Sequence, residues 1–170
     1  MLLAKVSTAN MLKWLWTSSF VILLDQITKW VADHSLELHV QVPIMPSFNF
    51  TLVYNTGAAF SFLSGAGGWQ RWFFSLLAIL ICIVLVVWLK RLHAHEKWIA
   101  IGLSLVLGGA LGNLIDRLFY GYVIDFIQWY YKGFYWPTFN IADSAITVGA
   151  TILVVNNIFF QKHHNYTRGE

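Results

Sequence analysis

Residues 113–143 read NLIDRLFYGYVIDFIQWYYKGFYWPTFNIAD and join the end of one long apolar run to the start of the next. Aspartates stand at 116, 125 and 143, in a chain that is 58% hydrophobic and only 11% charged. Ionisable groups at the mouths of apolar helices cost free energy unless pairing or function retains them. The flanking runs therefore predict a membrane protein, and the aspartates predict that its site is here.

Working outward, the chain has 170 residues, mean hydropathy +0.60 and 17% aromatic side chains. That is too apolar for an ordinary soluble domain, where charged residues make up about a quarter. A spanning helix needs about 20 apolar residues, so the length suits a single integral membrane domain with four spans. They are expected at about residues 14–32, 72–89, 98–118 and 141–160, with outer connections at about 33–71 and 119–140. The fold class expected is an all-α membrane protein of four transmembrane helices, with a small extracytoplasmic β-sheet and an interfacial loop or helix. The first run has a basic start like a secretory leader, but Asp25, Gln26 and Lys29 follow it with no small-residue cleavage site, which predicts an uncleaved span.

The first connection contains two alternating stretches, His39–Pro43 and Phe48–Tyr54, which read as strands; Pro43 and Pro46 confine the first to a sheet edge. The loop Asn55-Thr-Gly-Ala-Ala-Phe-Ser-Phe62, with Gly65, Gly67 and Gly68 after it, is small-residue and apolar, suited to dip into the interface and close over a ligand. Trp72–Leu89 carries no charge and reads as a lipid-facing wall. In the third run, Gly108 and Gly112 have the small-xxx-small spacing that lets helices approach closely. Asn113, Asp116 and Arg117 follow at i, i+3 and i+4, on one helix face. Aromatics from Phe119 to Trp136 suit headgroup depth, and no internal repeat suggests transporter pseudo-symmetry.

The charge pattern orients the chain. Net charge is +3, but the basic residues flank apolar runs rather than forming a phosphate-tracking patch, so no nucleic-acid partner is expected. Lys5 and Lys13, then Lys90, Arg91 and Lys97, then Lys162 and Arg168 outweigh Arg71 and Lys132. The positive-inside rule puts both termini and residues 90–97 in the cytoplasm. Asp25, Lys29, Asn113, Asp116, Arg117 and Asp143 then fall at one depth, near the outer face. Cys82, the single cysteine, excludes an internal disulfide and a thiolate cluster, and His93 and His95 lack a third ligand; no metal or cofactor is expected.

Two aspartates at the rim of a low-dielectric site repel one another when both ionise, so a close pair shares a proton and titrates as a unit. Such a dyad suits amide hydrolysis, one carboxylate taking a proton from water while the other hydrogen-bonds the scissile carbonyl. Asp143 starts a helix, with Asn140 one turn earlier as cap or orienter. Asp125 has an apolar frame of Val123, Ile124, Phe126 and Ile127 that favours its protonated form. Asp116 competes for a place in the dyad, although Arg117 beside it offers a cation to pair with. Asp25 and Lys29, four apart with the acid first, are spaced to pair, either as simple neutralisation or in support of the site. Other classes remain open on these residues: a small transporter passing protons or ions along the aspartates, and a metal-dependent membrane hydrolase holding Mg²⁺.

Five motifs, Asp25-Gln-Ile-Thr-Lys, Asn55-Thr-Gly-Ala-Ala-Phe-Ser, Gly108-Gly-Ala-Leu-Gly-Asn-Leu-Ile-Asp-Arg, Val123-Ile-Asp-Phe and Phe139-Asn-Ile-Ala-Asp, occur in this order. Together they resemble the bacterial lipoprotein signal peptidases (signal peptidase II), over about residues 20–160. The resemblance implies an aspartic endopeptidase of the bacterial inner membrane, cleaving prolipoproteins before a diacylglyceryl cysteine, and a target of the cyclic peptide globomycin. It puts the catalytic pair on Asp125 and Asp143. Positions that shape or bind at the site fall on Asp25, Lys29, Asn55, Gly109, Asn113, Asp116, Arg117, Asn140 and Ala142.

Overall fold

A computed structural model describes residues 11–57 and 67–160. Most of the expected closing loop, from Ala58 through Gly65, lies outside the described residues, as do Lys5, Lys162 and Arg168. A 3-10 turn (Met11–Trp14) leads into α1 (Leu15–Ser35), followed by α2 (Gln70–Arg91), α3 (Lys97–Phe119) and α4 (Ile141–Phe160). The strands are β1 (Gln41–Met45), β2 (Phe48–Asn55), β3 (Val123–Tyr131) and β4 (Phe134–Tyr135). α2 begins before the apolar run because its first polar residues find partners. Gln70 Oε1 accepts the Gly68 N–H at 2.8 Å, and Arg71 Nη2 donates to the Leu118 carbonyl at 2.6 Å.

Among the described residues three helices, α2, α3 and α4, are long and apolar enough to cross a membrane, which makes this a multi-pass membrane protein. α1 has 21 residues, but Asp25, Lys29 and Asp33 dilute its hydropathy, and it does not join that set on composition. Large apolar side chains stand open along α1, α2 and α4, among them Trp16, Phe20, Trp30, Leu80, Val84 and Phe159. A soluble monomer rarely exposes apolar area on that scale, and the exposure fits a multi-pass membrane protein.

α3 is the central helix. Of its most apolar window 61% is buried, against 17% for α2 and for α4, because α3 packs extensively against each of the other three. Lipid supplies no hydrophobic drive between helices, so association rests on close packing. Small residues provide it on two faces of α3. Gly102 and Gly109 meet α4, Gly102 against Gly149 and Gly109 against Ala142 and Ile146; Gly108 and Gly112 meet α1 at Ser18, Val21 and Asp25. At the far end from the sheet, Met11, Leu89, Leu92, Ile99, Ala100 and Leu103 close the bundle in one cluster.

The sheet order is β1-β2-β3-β4, all antiparallel, with β1 at the edge as its proline requires. The connection at 119–140, expected from its aromatics to lie at headgroup depth, supplies the two further strands. Lys132 and Gly133, both at positive φ (47° and 83°), make the two-residue turn between β3 and β4. Gly109→Val is expected to lower thermal stability in detergent by about 1–3 kcal/mol. The added side chain meets the Ala142 carbonyl oxygen and Ile146, and an unchanged melting temperature would count against this packing.

Candidate active site

Asp125 owes its place to strand register. β2 and β3 pair with Val53 opposite Asp125 and Asn55 opposite Val123, and side chains on one face recur every second residue. Asn55 and Asp125 therefore share a face, and Asn55 Nδ2 donates to Asp125 Oδ2 at 3.1 Å. On the other side of β3, the Phe126 and Ile127 N–H groups both donate to the Phe139 carbonyl, at 3.1 and 2.9 Å. Docking Phe139 there delivers Asn140, whose Nδ2 donates to Asp125 Oδ1 at 2.7 Å and lies 3.3 Å from the Ile124 carbonyl.

Asn140 also begins α4. Its Oδ1 accepts the Asp143 N–H at 2.8 Å, while Asp143 Oδ2 accepts the Asn140 N–H at 3.3 Å. This is the reciprocal capping pattern of a helix start, with aspartate as its acidic member. Asp143 Oδ1 accepts from Asn113 Nδ2 at 2.8 Å. One fully buried asparagine thus touches both aspartates, while Asn55 of β2 holds Asp125 and Asn113 of α3 holds Asp143.

Behind the pair lies a buried ion cluster. Lys29 Nζ is 2.8 Å from Asp25 Oδ2, 2.8 Å from Asp116 Oδ2 and 2.9 Å from Asn113 Oδ1. Asp25 Oδ1 accepts the Ala142 N–H at 2.8 Å, and Asp116 Oδ2 accepts the Ile124 N–H at 3.2 Å. Gln26 Nε2 donates to Asp116 Oδ1 at 2.9 Å and to the Gly112 carbonyl at 3.2 Å. Gly112 leaves room for this, since a Cβ there would stand 2.6 Å from Asp25 Oδ2.

The two aspartates and Arg117 line a cavity of about 710 Å³ whose apolar wall includes Leu77, Ile81, Ala110 and Ile146. Arg117 donates to the backbone carbonyls of Gly57 at 2.9 Å and Asn113 at 3.3 Å, and its guanidinium sits over the Phe74 ring. Asp125, 1% exposed, is pushed up to about 7 by burial first and then by the charge of Asp143, against the hydrogen bonds from Asn55 and Asn140 and the Lys29 charge. At the sheet edge of α1, Tyr54 Oη donates to Asp33 Oδ1 at 2.7 Å, and that bond with burial pushes the phenol up to about 12.

Every candidate from the sequence comes into this one region: Asp25 and Lys29 from α1, Asn55 from β2, Gly109, Asn113, Asp116 and Arg117 from α3, Asp125 from β3, and Asn140, Ala142 and Asp143 at the start of α4. One pairing differs from expectation. Asp116 takes Lys29 rather than Arg117, because side chains at i and i+1 on a helix diverge by about 100° even where they share a broad face; Arg117 is held by carbonyl oxygens instead. Gln26 and the Tyr54–Asp33 bond were not anticipated. A glutamine beside Asp25 in an apolar run was the available signal for the first; the second depends on tertiary contact.

Fold and site together define a multi-pass membrane protein with two aspartates on the wall of a largely apolar cavity. The family model for signal peptidase (SPase) II matches residues 17–159. A lipoprotein signal peptidase of Pseudomonas fluorescens (strain Pf0-1) is 55% identical over 147 residues, 85% of this chain and 86% of the relative. One from Teredinibacter turnerae is 53% identical over 163 residues, 95% and 96% of the two chains. A solved bacterial membrane enzyme, determined by the in meso method at 2.3 Å resolution, superposes with TM-score 0.78 at 33% identity, covering 86% of this chain and 87% of its own. The chain belongs to the signal peptidase II family.

Burial lifts Asp125 above its unfolded value of about 3.9, so the folded protein retains a proton that the unfolded chain releases as pH rises from about 4 to 7. The folded state binding more protons means that stability falls across that window. At about 1.36 kcal/mol per pK unit, this group removes up to about 3 kcal/mol between about pH 5 and pH 8. Asp125→Asn is expected to lose that share of the dependence. Thermal unfolding of both proteins at the two pH values checks it, and parallel pH dependence would refute the assignment.

Proposed function

We propose that this protein is an aspartic endopeptidase that removes the signal peptide from prolipoproteins, cleaving before a diacylglyceryl cysteine with Asp125 and Asp143 as its catalytic pair. The observation that carries the reading is the meeting of these two aspartates, from different elements, on one cavity wall in a chain of the signal peptidase II family. In the proposed reaction Asp143 takes a proton from water as its oxygen attacks the scissile carbonyl carbon. Asp125, whose carboxyl burial raises to about 7, passes its proton to the carbonyl oxygen in the form that carries it. Collapse of the gem-diol breaks the C–N bond: Asp143 gives its proton to the leaving nitrogen, and Asp125 recovers one from a hydroxyl. Asn55, Asn113 and Asn140 orient the carboxyls, and Arg117 lies on the same cavity wall to meet substrate.

A signal-peptide helix already resides in the bilayer, so a site at the end of the bundle meets the bond that follows it, while acyl chains lie along the apolar wall of the cavity. The same site is the one through which globomycin would act, by the family resemblance. We place the protein in the bacterial inner membrane with α1 as a fourth span, both termini cytoplasmic and the site near the periplasmic face. The inward face of α1 holds the paired Asp25 and Lys29, and its outward face presents Trp16, Phe20, Leu23, Ile27 and Trp30, the arrangement of a span whose charges face its neighbours.

With a lipidated prolipoprotein peptide and purified enzyme, Asp125→Asn and Asp143→Asn are each expected to lower cleavage at least about a hundredfold. The folded yield stays unchanged, and chelator has no effect on the parent. Full activity in either variant, or loss of activity on chelation, would overturn the mechanism. For topology, cysteines replacing the exposed His95 and Met45 are expected to react with an impermeant thiol reagent from the cytoplasmic and periplasmic sides respectively. Labelling of both from one side would sink the four-span arrangement.

A further inference from the structure

Lys29 lies outside the cavity and touches neither Asp125 nor Asp143 directly, yet its contacts lead to both. An ammonium has three N–H donors, and in this cluster they face Asp25 Oδ2, Asp116 Oδ2 and Asn113 Oδ1 at 2.8, 2.8 and 2.9 Å. Each acceptor also makes a bond to Asp143 or to the residue before Asp125 or Asp143. Asp25 holds the N–H of Ala142, the residue before Asp143. Asp116 holds the N–H of Ile124, the residue before Asp125. Asn113, with its oxygen turned to the ammonium, has only its amide nitrogen to offer Asp143, and it does so at 2.8 Å.

We propose that Lys29 is the positioning residue of the dyad: one buried cation sets the backbone of β3 beside Asp125, the first turn of α4 beside Asp143, and the orientation of the asparagine that holds Asp143. This role rests on the reading of Asp125 and Asp143 as the catalytic pair. Neutralising a lone carboxylate would require one partner; Lys29 is 2% exposed with two aspartates that are 0% and 1% exposed, and the arrangement leaves none of its donors for water. Its acceptors come from α1 and from two successive positions on one face of α3, converging on a point. A compact ammonium suits that geometry, and the planar fork of arginine does not. Gln26 joins Asp116 to the Gly112 carbonyl and stiffens the same triangle.

A displacement of reacting groups by about 1 Å costs on the order of a hundredfold in rate. Lys29→Met and Lys29→Arg are therefore expected to lower kcat at least about a hundredfold on a lipidated prolipoprotein peptide while KM stays within about threefold. Because Lys29→Met leaves two buried carboxylates unpaired, Asp25→Asn/Lys29→Met/Asp116→Asn is made beside it. The asparagine oxygens can still accept the Ala142 and Ile124 N–H groups without charge, so this variant is expected to fold, with kcat at least about tenfold below the parent and KM unchanged. Parent-like kcat in any folded variant overturns the positioning role, and so does a proportional rise in KM. Failure of all three to fold also overturns it, leaving Lys29 a structural pair alone. An inactive parent, or an active Asp125→Asn control, sinks the underlying catalytic reading instead.

Discussion

A lysine ammonium buried inside a membrane protein has to find an acceptor for every N–H, since neither lipid nor water will supply one. Lys29 meets that demand with Asp25, Asp116 and Asn113, which brings α1 and α3 to a fixed separation and relative rotation. Taking charges out of water costs several kcal/mol per ion, and the interior returns this only where geometry is good and the remaining lone pairs are occupied. Here they are occupied by the backbone N–H groups of Ala142 and Ile124 and by Gln26. The cost of burying the cluster is offset by bonds that also tie down α4 and β3, so burial and site geometry are one arrangement.

Close packing makes those bonds reachable. α4 comes near enough to α1 for the Ala142 N–H to meet Asp25 because Gly109 on α3 lets Ala142 settle against its backbone, and Gly112 leaves space for the Asp25 carboxyl. The sheet adds the remaining constraint. Register between β2 and β3 sets Asn55 beside Asp125, and the Phe139 carbonyl, bonded to two successive N–H groups of β3, brings Asn140 between the two aspartates. A one-residue slip of β3 would turn Asp125 to the opposite face of the sheet, away from Asn140. The apolar wall of the cavity and the polar groups at its end therefore come from different layers, helices for one and sheet plus helix ends for the other.

Much of this was readable before any coordinates. Runs of apolar residues announced helices close to where α1 to α4 occur, and for α2, α3 and α4 hydropathy over about 20 residues is enough to indicate a span. The alternation in 48–54 announced β2, and Pro43 announced an edge strand. The glycines of α3 announced close approach. The scarcity of charge made every aspartate conspicuous, and the order of five motifs pointed to the signal peptidase II family. Pairing was less legible. Asp116 stands next to Arg117 in the chain, and proximity in sequence suggested an ion pair that helix geometry disfavours; its partner lies far back in α1. The aromatic stretch after α3 hid β3, since its side chains suit a membrane surface as well as a strand.

What the amino-acid sequence determined by itself was composition against environment: a bilayer protein, its helices, and the few polar residues that such an environment tolerates only with partners. Tertiary structure alone decided who those partners are. Hydrogen bonds and ion pairs depend on distances of about 3 Å between atoms that lie tens of residues apart in the chain, and no local pattern encodes them. The lysine of α1, the asparagine that caps α4 and the aspartate of β3 became neighbours only when helix packing and strand register had both been satisfied.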